Sequence, residues 1–284
     1  MNRFLQNIGG FISASRVPNQ LIIAFTQIIT GLILLEHSQE DVLSIRFIAL
    51  ILSTQMIAAG GYIINDYYDQ KIDMINRPDK VIVGVHFNRR MALLSHLLLN
   101  LTAILIGFWI DSLIGLIHVF SSFVLWIYSN QLRRLPLIGN LAISSLSGLT
   151  FLIVSVFFRQ ESNLVMIYAL FAFTITLIRE VIKDIEDVKG EAAYGCETLP
   201  VIWGIRGAKI AIYLISISGI GLLILFLSYT RIFGLLIYFT VLGPFFIWFV
   251  FQLYRADTRK QFSLLHRACN LIILSGLCSI FLLL

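Results

Sequence analysis

The chain has 284 residues, of which 58% are hydrophobic and only 13% carry a charge, and its mean hydropathy is +0.88. A soluble domain of this length needs a far more charged surface, so these values exclude that class. The apolar runs reach the ~20 residues that a spanning helix requires, and the alternating pattern of a membrane barrel is absent. We therefore predict an all-α, polytopic membrane protein that forms a single domain over residues 1–284.

The net charge of +5 does not indicate nucleic acid as a partner. The basic residues are spread over many loops instead of being gathered on one face, which is typical of membrane topology. The three cysteines have neither the spacing of a metal site nor that of a disulfide framework. Residues 1–15 lack the apolar core of a cleavable signal and are predicted to form a short interfacial helix.

Nine apolar segments follow in chain order. They lie near residues 17–35, 44–65, 91–110, 113–130, 137–158, 163–182, 208–228, 231–253 and 263–284. The weakest division is between the third and the fourth segment, where only Asp111 and Ser112 interrupt the apolar run. We predict nine transmembrane helices.

The distribution of Lys and Arg tests this count. Eighteen of the 21 basic residues fall on one side of a nine-span arrangement, and the other side holds only Arg46, Arg159 and Arg231. A miscount by one span would remove this asymmetry. The positive-inside rule then predicts a multi-pass protein of the cell (inner) membrane with a cytoplasmic N-terminus and an outer C-terminus.

Two acidic stretches with the same spacing stand at the ends of apolar segments. The first acidic face consists of Asp66, Asp69 and Asp73, and the second acidic face consists of Asp184, Asp187 and Glu191. On a helix, the i, i+3, i+7 spacing places three side chains within an arc of roughly 60°. Both faces are predicted to lie on the cytoplasmic side.

Like-charged carboxylates at this spacing repel one another, and a hard divalent cation is the usual remedy. No histidine is interleaved with either face, which argues against zinc or iron. We predict that all six carboxylates of the two faces are catalytic Mg²⁺ ligands. Mg²⁺ together with nearby Lys and Arg can neutralise a diphosphate leaving group. A cavity between membrane helices can hold a long lipid tail. The pattern therefore indicates chemistry on an isoprenyl diphosphate.

A cation-coupled transporter is the alternative from another functional class, because its buried acids also carry cations. That class predicts acids near the middle of the membrane and recognisable inverted repeats. Here the acids gather at one side, and the sequences that flank the two faces are not similar.

The motifs resemble those of the UbiA superfamily of intramembrane prenyltransferases. The first signature is similar to Asn65-Asp66-x-x-Asp69-x-x-x-Asp73, and the second to Lys183-Asp184-x-x-Asp187-x-x-Gly190-Glu191. Further similarity lies in Arg16-x-x-Asn19, in Tyr128-Ser129 with Arg133, and in Thr198-Leu199-Pro200. The resemblance implies nine helices around a central cavity and Mg²⁺-dependent transfer of a prenyl group from its diphosphate.

The resemblance also implies a set of residues that contact substrate. These are Arg16, Asn19, Asn65, Lys71, Arg77, Tyr128, Arg133 and Lys183. The segments 72–79 and 183–187 most resemble family members that transfer a geranylgeranyl group onto geranylgeranylglyceryl phosphate. An aromatic quinone precursor or a chlorophyll-type acceptor is the alternative substrate on the same fold.

Two departures from the family pattern are visible. Glu191 stands where the second signature usually ends in Asp, and Lys80–Val85 replaces a Pro-rich turn that ends in Ser-Gly. The sequence therefore predicts that the rigid turn is lost after the first acidic face.

Overall fold

The computed structural model describes residues 3–230 and 233–283, and the side chains of these except for residues 3–6, 226–230, 233–237 and 239. Arg231 and the outermost residues of the predicted spans 231–253 and 263–284 lie outside the described residues. Within the described part the chain is helical, and strand-like pairing is limited to one isolated bridge between Val83 and Phe87.

Twelve α-helices, α1 to α12, follow in chain order. Up to the middle of the chain they are α1 Arg3–Ala14, α2 Val17–Ile29 with a π-helical extension Thr30–Leu34, α3 Gln39–Val42, α4 Ile45–Asn76, α5 Arg89–Ile110 and α6 Ser112–Asn130. The remainder are α7 Ile138–Phe158, α8 Asn163–Ala193, α9 Leu199–Ile202, α10 Gly204–Thr230, α11 Phe233–Arg255 and α12 Arg259–Ser279. Short 3₁₀ turns lie at Pro78–Lys80, Leu132–Arg134 and Ile280–Leu283.

Eight helices of the described residues are long and apolar enough to cross a membrane. They coincide with eight of the nine predicted segments, which confirms an all-α, multi-pass membrane protein. The remaining segment, 231–253, coincides with α11, so the count of nine stays a prediction. The division between the third and fourth segments is confirmed, because Asp111 caps α6 and its carboxylate accepts a hydrogen bond of 2.8 Å from the Leu113 N–H. That N–H, assisted by Arg159, holds the pKa of the Asp111 carboxyl below its usual value.

The chain forms two compact units. The first comprises Met1–Leu32, Glu36–Arg133 and Ile153–Gln160, and the second comprises Ile33–Leu35, Arg134–Leu152 and Glu161–Leu284. In the first unit α4 is central and packs against α2, α5 and α6. In the second unit α8 is central and packs against α10 and α12.

Two adjacent glycines let the helices of the first unit approach α4 closely. A Cβ on Gly60 would lie 2.5 Å from the Asn100 amide nitrogen on α5, and one on Gly61 would lie 2.8 Å from Leu125 on α6. A larger residue at either position would force the Asn100 or the Leu125 side chain to move.

The second unit is built around a helix that is buried along most of its length. Its core joins α8 to α10, α11 and α12 through large apolar side chains such as Ile178, Ile212, Phe249 and Phe262. Since most of α8 is enclosed in this way, the carboxylates of Asp184, Asp187 and Glu191 near its end are also buried.

The loop after the first acidic face forms a tight turn without the prolines of the family pattern. Val83 and Phe87 are buried against Ala14 of α1. The Gly84 N–H donates a 2.7 Å hydrogen bond to the Phe87 carbonyl, which closes a tight turn. Apolar contacts thus hold the loop where the family has prolines, and the surface of α1 that they pack against is distant along the chain.

Gly84 should be essential for this turn. Its φ is +90°, and an added Cβ would overlap the side-chain amide of Gln70. We expect Gly84→Ala to lower the free energy of unfolding by about 1–3 kcal/mol, because both the backbone conformation and the contact become strained. Thermal unfolding in detergent micelles and the rate of proteolysis within residues 81–88 measure this effect.

The matched control is Gly9→Ala, because no atom lies within 4 Å of a Cβ at that position of α1. Alanine is a better helix former than glycine, so this control should leave stability unchanged or slightly higher. Equal behaviour of the two variants would contradict the role assigned to Gly84.

Candidate active site

Both acidic faces lie on continuous helices, as the spacing predicted. The first face lies on α4, which has 32 residues, and the second lies on α8, which has 31. Each helix runs on beyond its apolar segment, so the carboxylates extend the same helical surface that packs in the membrane part. Each face thus lies on the central helix of its own unit.

Two arginines hold carboxylates of the first face. Arg16 Nη2 lies 2.9 Å from Asp66 Oδ1, and the Asp66 side chain is 13% exposed. Arg133 forms an ion pair with Asp69, and both side chains are nearly buried. The ion pairs offset the cost of burying the two carboxylates. Arg16 and Arg133, both predicted from the resemblance, are therefore brought to the first face.

The same face carries a buried amide that lacks a partner. Asn65 is 8% exposed, and its Nδ2 has no hydrogen-bond partner among the described residues. Asp73 is half-buried, and its backbone carbonyl accepts a 2.6 Å hydrogen bond from Arg77, which ends α4. A buried donor without an acceptor is costly, and a bound anion would satisfy it.

Asn19 contacts Tyr62, a residue that the sequence analysis did not include. Its Nδ2 donates a 3.3 Å hydrogen bond to the Tyr62 hydroxyl, and the Arg16 guanidinium lies 4.8 Å from the centre of the Tyr62 ring. Tyr62 precedes Asp66 by four residues, so both share one face of α4. That spacing was the available signal for including Tyr62.

Two other residues predicted to contact substrate differ in their exposure to solvent. Lys71 is exposed, and helical geometry places it about 140° around α4 from Asp66. Tyr128 is buried on α6. Between Asp66 and Asp69, the ring of Tyr67 lies beneath Arg89 at 4.3 Å.

The second face is held mainly by uncharged donors. Asn140 on α7 donates a 2.7 Å hydrogen bond to Asp184, and both residues are buried. Thr198 donates a 2.7 Å hydrogen bond to Glu191, which is 1% exposed. The longer side chain of Glu191 thus reaches the start of α9, where Thr198 is the N-cap residue.

The third carboxylate of the second face has a more distant cation. Arg259 at the start of α12 lies 3.8 Å from Asp187, which is 2% exposed. Lys183 precedes Asp184 and is half-buried. Neither Asn140 nor Arg259 was predicted. The signal for Asn140 was an isolated amide within the apolar segment 137–158, which is uncommon in a membrane helix unless it has a partner.

No group of three or more His, Cys, Asp or Glu side chains within the described ranges is arranged to hold a metal ion. The contacts above give the physical reason, because arginine, asparagine and threonine side chains engage Asp66, Asp69, Asp184 and Glu191. The two faces therefore offer hard oxygen ligands whose present partners must move before a cation can take their place.

Asn140 should stabilise the second unit through Asp184. We expect Asn140→Leu to lower the free energy of unfolding by about 1–3 kcal/mol, because a buried carboxylate loses its donor while the side-chain volume is roughly kept. Thermal unfolding in micelles measures the loss. The control is Ser144→Ala, one turn further along α7, whose hydroxyl donates only to the Asn140 carbonyl of its own helix. An effect of Asn140→Leu no larger than that of the control would contradict the assignment.

The chain is similar to known proteins in both sequence and fold. It is 35% identical over 212 residues to digeranylgeranylglyceryl phosphate synthase of Methanosphaera stadtmanae, which covers 74% of this chain and 77% of the relative. A solved structure of digeranylgeranylglyceryl phosphate synthase has the same fold, with a TM-score of 0.75, 21% identity, and coverage of 96% of this chain and 97% of the other.

A second solved structure adds a ligand-bound relative. It is a UbiA homologue from Archaeoglobus fulgidus bound to DMAPP and Mg²⁺, with a TM-score of 0.69, 14% identity, and coverage of 95% of this chain and 99% of the other. The model of the UbiA prenyltransferase family matches residues 24–271, a range that includes both acidic faces. The chain therefore belongs to the UbiA prenyltransferase family.

Proposed function

We propose that this protein transfers a geranylgeranyl group from geranylgeranyl diphosphate to geranylgeranylglyceryl phosphate in an Mg²⁺-dependent reaction. The observation that carries the proposal is the 35% identity to digeranylgeranylglyceryl phosphate synthase over 74% of the chain. It agrees with the resemblance of segments 72–79 and 183–187 to the lipid-type members of the family.

The donor set of the two faces fits Mg²⁺. All six side chains are carboxylates, and Mg²⁺ prefers oxygen ligands while keeping several of its waters. In the proposal, Asp66, Asp69 and Asp73 hold the metal on the first face, and Asp184, Asp187 and Glu191 hold it on the second. Bound Mg²⁺ would neutralise the diphosphate and stabilise it as a leaving group.

Arginine and amide side chains would hold the phosphates. Guanidinium groups bind phosphate in the same forked geometry as carboxylate, so Arg133 can exchange Asp69 for the donor diphosphate. The unpartnered Nδ2 of Asn65 would donate to the same group, and Lys183 adds a positive charge beside the second face. Arg16 and Arg77 would bind the second phosphate, which belongs to the lipid acceptor.

The reaction breaks one bond and forms another. The allylic C–O bond to the diphosphate breaks, and the free hydroxyl oxygen of the acceptor forms an ether bond to the same carbon. The hydroxyl proton must leave, and a carboxylate that has lost its arginine partner can accept it. The leaving diphosphate keeps the electron pair of the broken bond.

Both faces are proposed to lie on the cytoplasmic side, with the C-terminus outside. The basic-residue distribution supports this orientation. Within the first unit, the Arg16–Asp66 and Arg133–Asp69 ion pairs each join two positions that the nine-span topology assigns to the cytoplasmic side. The 2.9 Å pair of Arg159 with Asp111 joins two positions assigned to the opposite side.

The direct test uses purified protein, Mg²⁺, labelled geranylgeranyl diphosphate and two acceptors, geranylgeranylglyceryl phosphate and 4-hydroxybenzoate. We expect a labelled ether lipid from the first acceptor, loss of product after EDTA treatment, and recovery when Mg²⁺ is restored. If only 4-hydroxybenzoate gave a product, the acceptor would be an aromatic compound and not geranylgeranylglyceryl phosphate. Undiminished transfer after thorough EDTA treatment would reject the metal.

Both acidic faces should be necessary for turnover. We expect Asp66→Ala and Asp187→Ala each to lower kcat/KM by a factor on the order of 100 or more, because each removes a ligand of the Mg²⁺ whose positive charge would stabilise the leaving group. Steady-state kinetics in liposomes, with insertion verified for each variant, provides the measurement. Asp41→Ala is the control, since that exposed carboxylate caps the four-residue helix α3. A properly inserted variant that keeps wild-type activity would show that its face holds no catalytic metal.

A further inference from the structure

Tyr62 connects the start of α2 to the first acidic face. The Arg16 guanidinium carbon lies 4.8 Å from the centre of the Tyr62 ring, while Arg16 Nη2 lies 2.9 Å from Asp66. The Asn19 amide donates to the Tyr62 hydroxyl at 3.3 Å. One aromatic side chain thus contacts two polar residues, Arg16 and Asn19, at the N-terminal end of the first span.

The backbone conformation at Arg16 is unusual and constrains the direction of its side chain. Its φ of 51° and ψ of 57° are left-handed, a conformation that is unfavourable for a non-glycine residue. The Arg16 carbonyl accepts a 2.8 Å hydrogen bond from the Asn19 N–H, and Gln20 donates a 3.1 Å hydrogen bond to the Ser15 carbonyl. The surrounding contacts therefore fix the direction in which Arg16 leaves the chain.

We propose that Tyr62 is a positioning residue that orients Arg16 for the phosphate of the lipid acceptor. The inference rests on the proposed function. The Tyr62 ring covers one face of the Arg16 guanidinium, and Asp66 binds one of the guanidinium nitrogens. Together these two contacts fix the plane of the guanidinium and so the directions of its N–H groups. Without the ring, Arg16 keeps its charge and its salt bridge but loses the surface that sets its plane.

The expected size of the effect follows from the contact. A cation–π interaction at a partly exposed site contributes about 0.5–2 kcal/mol, which corresponds to roughly a 2- to 30-fold change in binding. Among the described residues, the Tyr62 hydroxyl is hydrogen-bonded to Asn19 alone, and it should play a smaller part than the ring. The ring should therefore account for most of the effect.

The test compares Arg16→Ala, Tyr62→Leu, the double variant and Tyr62→Phe. Each is assayed by steady-state kinetics with donor and acceptor varied separately, and by calorimetric binding of geranylgeranylglyceryl phosphate without donor. Phe120→Leu is the matched control, because that aromatic side chain is 60% exposed on α6, away from the first acidic face.

We expect Tyr62→Leu to raise the acceptor KM and its calorimetric Kd roughly 5- to 10-fold with little change in the donor KM. The double variant should be no worse than Arg16→Ala alone, because Tyr62 acts through Arg16. Tyr62→Phe keeps the ring and should stay within about twofold of the wild type.

Three results would overturn the inference while leaving the proposed function intact. They are additive losses in the double variant, a Tyr62→Leu effect confined to kcat or shared equally by both substrates, and a loss in Tyr62→Phe equal to that in Tyr62→Leu. Failure of the wild-type protein to transfer the prenyl group or to bind the acceptor would instead reject the proposed function, and the inference with it.

Discussion

Buried carboxylates at the ends of two membrane helices set the main physical constraint on this protein. An isolated charge in a low-dielectric environment costs several kcal/mol, so each carboxylate needs a cation or a donor. Asp69 is 4% exposed and is paired with Arg133, while Asp184 is 8% exposed and accepts from Asn140. The elements that carry these partners must therefore pack against the central helix of their unit.

Helix length explains why the faces can be acidic. With 32 residues, α4 extends for about 48 Å, whereas the hydrocarbon core of a bilayer is about 30 Å thick. Two or more turns must then extend beyond the apolar layer. The first acidic face occupies such turns, so its side chains combine burial in protein with access to aqueous phosphates and cations.

The two acidic faces have different kinds of partners, and both kinds can be replaced when phosphate or a cation binds. The first face is paired with arginines, which bind phosphate as readily as carboxylate. The second face is held largely by Asn140 and Thr198, which are neutral and hold the carboxylates without competing as a full charge. A cation would therefore displace strong ion pairs on the first face and ordinary hydrogen bonds on the second.

The sequence alone determined the helical membrane class and the position of both acidic faces. These two results follow from local rules: apolar runs of spanning length and a repeat that matches the helical period. Arg16 and Arg133 were predicted from the family resemblance and not from these rules. Even the boundary at Asp111 could be predicted, because helix capping depends on neighbouring residues.

The tertiary structure alone decided which groups neutralise the carboxylates and how the loop after the first face is held. Asn140 lies 44 residues before Asp184, and Phe87 lies far along the chain from Ala14. Contacts of this kind depend on how helices pack, and helical periodicity contains no information about them. The spacing of Tyr62 from Asp66 indicates a shared helix face, but the contacts of Tyr62 with Arg16 and Asn19 on another segment come only from the packing.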